Sequence, residues 1–206
     1  MVKGIENSQM ENLIKDTAKG MFFSKGLINA TTQEIANEAG INRTMIHYYF
    51  RSRDQLFNVV LQEAMLGMMD RVKEIFNSNN SLREKIKSFL DVFITETSDY
   101  PYLENFLVSE IARDPEKILK LYPPNNSCLK DNVKKQLDQE VQAGTLAPIT
   151  IDHFICNLMA LCKYPLIAKP IIQTVCGYDD AAYKIFLIER KKVVYFNIFN
   201  EPYPEN

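Results

Sequence analysis

The chain has 206 residues, 46% of them hydrophobic and 24% charged, ordinary values for a globular protein able to bury a sizeable core. A formal net charge of −2 excludes any account in which bulk positive charge carries nucleic-acid binding. The four cysteines form no C-x-x-C pair and the two histidines, His47 and His153, lie far apart, so no disulfide framework, metal site or cofactor is expected.

Charge is unevenly placed. Residues 1–60 carry seven Lys/Arg against six Asp/Glu, and the remainder carries seventeen against twenty. Between Ala39 and Arg53 there is no acid, while Arg43, Arg51 and Arg53 all fall there. A phosphate-facing surface needs this local balance whatever the rest of the chain carries. The N-terminal segment MVKGIENSQMENLIKD has no apolar signal-peptide core, and no run of about 18 apolar residues follows. A cytoplasmic protein with no membrane partner is expected.

Few Gly/Pro clusters interrupt long amphipathic stretches, which predicts an all-α protein. The first helix is expected from about Asn7 to Lys25, with Met10, Leu13, Ile14, Ala18, Met21 and Phe22 at helical spacing and Gly26 as its stop. Thr31-Thr32-Gln33-Glu34 is a capping box, opening a helix Thr32–Ala39 that Gly40 ends. Asn42 can cap a third helix, Arg43–Phe50, and Ser52-Arg53-Asp54-Gln55 opens a long fourth one reaching about Phe76. Ser81-Leu82-Arg83-Glu84 begins another, with Ile86, Phe89, Leu90, Phe93 and Ile94 on one face. Asp99-Tyr100-Pro101 precedes a helix of about Tyr102–Arg113, and a loop with Pro123-Pro124-Asn125-Asn126 leads to one of about Ser127–Ala143. Two final helices, about Thr150–Lys163 and Asp179–Asn200, are expected on either side of a segment with Pro165, Pro170 and Gly177. A domain boundary is placed near Ala64 to Asp70.

Residues 31–50 meet the demands of a DNA-reading helix-turn-helix. Ala36 is the small residue where two helices cross, Gly40 supplies the turn, and Ile35, Ala39, Ile41, Ile46 and Tyr49 lock the pair. Met45, Ile46, Tyr49 and Phe50 form an inward set; Arg43, Thr44, His47 and Tyr48 form an outward set near the end that enters the major groove. Arg43 suits a bidentate contact with guanine, and Thr44 and His47 suit base edges. Tyr48 suits sugar or phosphate, and Arg53 and Thr32, each at a helix start, suit phosphate.

The run TTQEIANEAGINRTMIHYYFRSRDQL, residues 31–56, resembles the TetR family of bacterial transcriptional regulators, whose signature pairs Thr-Thr, Ile-Ala and Ala-Gly-Val with a recognition helix ending Tyr-Tyr-Phe. The family often has Gly-Thr where this chain has Thr44-Met45, and tyrosine in place of His47. The resemblance implies phosphate contacts from Thr32, Tyr48 and Arg53 and base contacts from Arg43, Thr44 and His47. It implies a DNA-binding domain over residues 1–66, joined by a long helix to a ligand-sensing and dimerisation domain over 67–206, about nine helices in all. It further implies a homodimer paired through the last two helices on a near-palindromic double-stranded operator, and a repressor released by a small-molecule effector. Ile151, Phe154, Ile155, Leu158, Met159, Leu161 and Cys162 on one of those helices suit both core and pairing, as do Tyr183, Phe186, Leu187, Val194, Tyr195, Ile198 and Phe199 on the other. Candidate pocket residues are Met65, Met68, Met69, Phe89, Phe93, Tyr102 and Phe106, a Met and aromatic pattern that is more often plain core packing.

The alternative is a helical small-molecule-binding protein or enzyme whose helix-turn-helix reads nothing. His153 near Cys156 is the one hint of catalysis, and their spacing on an apolar helix is more simply packing. No enzyme is expected.

Overall fold

The computed structural model describes residues 2–114, 116 and 127–205. These form ten α-helices and one π-helical turn, with no strand among the described residues. The expected loop Pro123–Asn126 lies outside them. The chain divides into two compact units, Met1–Gly67 and Met68–Asn206.

In the first unit, α1 (Val2–Lys19) starts earlier than its apolar pattern indicates and passes into a π-helical turn, Gly20–Ser24. That wider turn carries three consecutive buried side chains, Met21, Phe22 and Phe23. Phe22 and Phe57 meet edge to face at 5.2 Å, and Phe23 meets Phe57 at 6.2 Å, so aromatic packing joins the turn to the start of α4 (Arg53–Asn77). Glu63 of α4 accepts from Lys15 at 2.8 Å and lies 3.3 Å from Lys19, pinning α4 to α1.

Between them sit α2 (Thr32–Glu38) and α3 (Arg43–Phe50). The α2 capping box is complete: the Glu34 amide donates to Thr31 Oγ1 and the Thr31 amide donates to Glu34 Oε2. Gly40 holds φ +67, and no atom lies within 4 Å of where a Cβ would stand. Gly40→Ala therefore has a conformational cost alone, expected at about 1–2 kcal/mol in denaturant unfolding.

The second unit packs α5 (Leu82–Asp99), α6 (Leu103–Arg113), α7 (Ser127–Gln142), α8 (Ile151–Ile167), α9 (Lys169–Cys176) and α10 (Asp180–Phe199). Its core joins Ile86, Phe89, Leu90 and Phe93 of α5 to Leu137 of α7, Phe154 and Leu158 of α8, and Leu187, Val194 and Tyr195 of α10.

The proline-bearing segment after Lys163 is helical, against expectation. Pro165 has no N–H to give the Leu161 carbonyl, and that carbonyl accepts from Arg190 Nε of α10 at 3.3 Å instead, so α8 runs on to Ile167. Pro170 falls in the first turn of α9, where a missing N–H costs nothing. Lys169 is buried between the rings of Tyr102 and Tyr183, at 4.9 and 5.4 Å, and pairs with Asp180 at 2.9 Å.

The apolar side chains of α8 and α10 divide between core and surface. Phe154, Leu158, Cys162, Tyr183, Leu187, Val194, Tyr195 and Phe199 are buried, whereas Ile155, Ile185, Ile188, Val193 and Phe196 are exposed. Of the cysteines described, only Cys162 is buried, its thiol pushed up to about 12 chiefly by burial; Cys156 and Cys176 are exposed.

Several carboxyls sit below their ordinary range. Glu34 and Glu84 are lowered first by the backbone amides of Thr31 and Ser81 that they accept from. In Glu63, Asp91 and Glu140 burial pushes upward, but hydrogen bonds from Lys15 and Lys19, from Lys191, Tyr203 and Lys87, and from Arg83 and Thr145 outweigh it. Depressed folded values mean the unfolded chain binds more protons in acid. The stabilisation is complete above the ordinary Glu value of 4.5 and is lost as pH falls through the depressed values. The thermal midpoint is thus expected to hold from neutrality to about pH 5 and to fall below it.

Candidate nucleic-acid interface

α3 is only eight residues long, so its two faces are set by its caps and by what it lies on. Asn42 accepts the Thr44 amide at 2.9 Å through Oδ1, fixing where the helix begins. Ile46 and Phe50 are buried, with Ile35 and Ala36 of α2 buried in the same unit. Met45 and Tyr49 are half-buried, and the Tyr49 hydroxyl donates to Asn7 Oδ1 of α1. Arg43, Thr44, His47 and Tyr48 are all exposed, Tyr48 at 70%. The expected inward and outward sets are therefore the ones observed, and Tyr48 belongs to the surface.

The outward side chains are held in distinct ways. Arg43 donates from Nε to Thr32 Oγ1 at 3.0 Å, and its two terminal nitrogens have no protein partner among the described residues. Those are the atoms a bidentate contact with guanine uses. Thr32 itself is only 7% exposed, so its hydroxyl serves Arg43 rather than an outer surface. Thr44 Oγ1 donates to Asn42 Oδ1 at 2.9 Å, which leaves the Thr44 hydroxyl oxygen as an acceptor.

Arg53 stands somewhat apart from this set. Its guanidinium lies 5.2 Å from the Phe22 ring centre and 5.4 Å from that of Phe57, donates to the Ala30 carbonyl at 3.3 Å, and pairs with Asp54 at 3.0 Å. A side chain 29% exposed, stacked on two core rings, supports the fold as well as offering charge.

Residues 50–53 hold a feature that the sequence reading passed over. α3 ends at Phe50 and α4 begins at Arg53, which leaves two residues to reverse the chain. No glycine is there, and Arg51 takes φ 56, ψ −39, a conformation costing a non-glycine residue about 1–3 kcal/mol. Its amide donates to the His47 carbonyl at 3.1 Å, and its own carbonyl lies 3.0 Å from His47 Nδ1. The two-residue gap before an N-capping serine was the available signal. Ser52 Oγ accepts the Gln55 amide at 3.1 Å, giving α4 its cap.

Met65 belongs to the first unit. In the second, Phe89 and Phe93 stack at 5.5 Å inside the core, Met68 packs against that core, Tyr102 faces Lys169, and Phe106 is half-buried on α6. Met69 is buried on α4. His153 and Cys156 are both exposed and share no hydrogen bond, and no group of three or more His, Cys, Asp or Glu among the described residues could hold a metal ion. Among the described residues no single helix is long and apolar enough to cross a membrane; α8 and α9 pass that test only together, across a 72° bend.

Residues 14–60 match the sequence model described as bacterial regulatory proteins, tetR family. The chain is 24% identical over 173 residues to the HTH-type transcriptional regulator RutR of Escherichia coli strain K12, covering 82% of this chain and 80% of that one. Over 69 residues, 34% of either chain, it is 30% identical to the HTH-type transcriptional repressor KstR2 of Mycolicibacterium smegmatis. Its fold is similar to the ketosteroid transcriptional regulator KstR2 of Mycobacterium tuberculosis, with a TM-score of 0.58 and 16% identity over 93% of this chain and 95% of that one. With an exposed polar face on a capped, buried-backed α3, a tetR-family match over residues 14–60 that spans that helix, and regulators among its relatives, the chain is a DNA-binding transcriptional regulator whose N-terminal segment is similar to the TetR family.

Proposed function

We propose that the protein is a repressor which binds a near-palindromic operator as a homodimer and is released when a small-molecule effector occupies its second unit. The observation that carries the DNA half of this reading is the outward face of α3: Arg43, Thr44, His47 and Tyr48 exposed together, in a stretch from Ala39 to Arg53 without an acid. Arg43, Thr44 and His47 are assigned to base edges and Tyr48 to the phosphate backbone. Thr32 acts through its hold on Arg43, and Arg53 adds charge for phosphate from the start of α4.

Pairing of two copies is supported by Ile185, Ile188 and Phe196 on α10 and Ile155 on α8. These apolar side chains stand exposed on the helices the family resemblance assigns to the dimer. Two-fold pairing sets the reading helices about 34–36 Å apart, or a multiple of that, and requires a matching operator symmetry. The effector is assigned to the apolar interior of the second unit, around Phe89, Phe93, Tyr102 and Phe106. It releases DNA by favouring a dimer in which that spacing is wrong. The cytoplasm is the compartment in which such a protein would meet its DNA.

The effector half is tested by screening small molecules for a rise in the thermal midpoint, then measuring operator affinity with each one that stabilises the protein. Weakened operator binding in the presence of at least one stabilising compound is expected. Compounds that bind the second unit and all leave operator affinity unchanged would remove ligand release from the account.

A further inference from the structure

We propose that His47 reads its base as a hydrogen-bond acceptor, selecting the exocyclic amine of an adenine or a cytosine in the major groove. The inference rests on the reading in which the outward face of α3 meets base edges, and it names what one residue there asks for. His47 Nδ1 lies 3.0 Å from the carbonyl oxygen of Arg51. A carbonyl oxygen only accepts, so the hydrogen in that bond belongs to Nδ1; a ring turned over would set a C–H against the same oxygen. In the neutral imidazole one nitrogen carries the hydrogen and the other a lone pair. With Nδ1 engaged, Nε2 is the acceptor.

The arrangement is fixed from both ends. The Arg51 amide donates to the His47 carbonyl at 3.1 Å, so residue 51 is tied to residue 47 through backbone and ring alike. Arg51 holds φ 56, a left-handed setting specific to this two-residue reversal between α3 and α4. The ring's other nitrogen has no protein partner among the described residues, and His47 is exposed. The fold thus chooses the tautomer before DNA arrives.

The chemical consequence follows from the groove. Adenine N6 and cytosine N4 present donors there, whereas guanine O6 and N7 and thymine O4 present acceptors that would oppose the Nε2 lone pair. Arg43, one turn earlier on the same face, has only donors to offer and suits guanine. The two neighbouring readers therefore ask for bases of opposite hydrogen-bond character.

The test uses the full-length protein and a pool of random-sequence DNA duplexes at pH 8, above the ordinary imidazole range. Comparing the sequences selected by the wild type and by His47→Ala identifies the base whose preference depends on His47. Duplexes lacking only the exocyclic amine at that base, or carrying 7-deazapurine in its pair, are then titrated with wild-type protein. The expected result is that removing the exocyclic amine of the adenine or cytosine in that pair weakens binding roughly 2- to 12-fold, the range of one neutral hydrogen bond. The deaza substitution should leave binding unchanged. Unchanged binding on amine removal, a loss on 7-deaza substitution, or no position that responds to His47→Ala would each overturn the acceptor role while leaving base reading by α3 standing. A wild-type protein that selects no sequence at all would instead refute that base reading, and this inference with it. Because the analogue titrations use unaltered protein, they do not depend on how the alanine variant folds.

Discussion

Phe22→Ala is expected to destabilise the first unit by about 3–5 kcal/mol, the cost of emptying a fully buried aromatic site. The ring is inaccessible to solvent, meets Phe57 edge to face, and has the Arg53 guanidinium over it at 5.2 Å. Removing it takes away the surface on which the π-helical turn, the start of α4 and Arg53 are organised. A unit of some 60 residues has little stability to spare, so a loss of this size is comparable to the whole. Far-ultraviolet circular dichroism during thermal unfolding should show an early transition for part of the helical signal, and DNA binding should vanish. The second unit, whose core around Phe89, Leu137, Leu158 and Tyr195 holds no residue of the first, should unfold near its original midpoint. A single transition shifted as a whole would mean that the two units unfold together.

The second large effect concerns selectivity. Arg43→Ala is expected to remove about 1–3 kcal/mol of discrimination at one base pair, because the terminal nitrogens available for guanine disappear while buried Ile46 and Phe50 still seat α3. Arg53→Ala should behave differently. It should weaken binding to preferred and scrambled duplexes alike and reduce the salt dependence, and it should also lower the thermal midpoint, since the guanidinium is stacked on Phe22 and Phe57 and bonded to the Ala30 carbonyl. Titrating both variants against both duplexes, with unfolding measured in parallel, separates a reading arginine from one that supports the fold. Equal, non-selective losses from the two would contradict these roles.

What could be read from the chain beforehand was local. Thr31 with Glu34, Ser81 with Glu84, Asn42 before Arg43 and glycine at position 40 are signals of a few residues, and each produces the cap or turn its chemistry favours. The division of α3 into buried Ile46 and Phe50 and exposed Arg43, Thr44 and His47 follows from helical period alone.

What escaped was set by partners distant in sequence. Pro165 should stop a helix, and α8 continues past it because Arg190 satisfies the orphaned carbonyl of Leu161. Arg53 looks like a free surface charge until Phe22 and Phe57 are placed beneath it. On α8, Ile155 lies in the same apolar run as Phe154 and Leu158, and only packing decides that it stays out while they go inside. The strain at Arg51 follows from the two residues between α3 and α4, whereas the approach of its carbonyl to His47 Nδ1 is set by the three-dimensional path of that reversal.

The most direct test of the claim that α3 reads DNA is competitive binding of the wild-type protein. Its best duplex from a random pool is compared with a scrambled duplex of equal length, between about 50 and about 200 mM salt. The account requires the selected duplex to bind at least about 10³-fold more tightly, with both affinities falling as salt rises. Equal affinity for the two duplexes would mean that Arg43, Thr44 and His47 touch DNA without reading it.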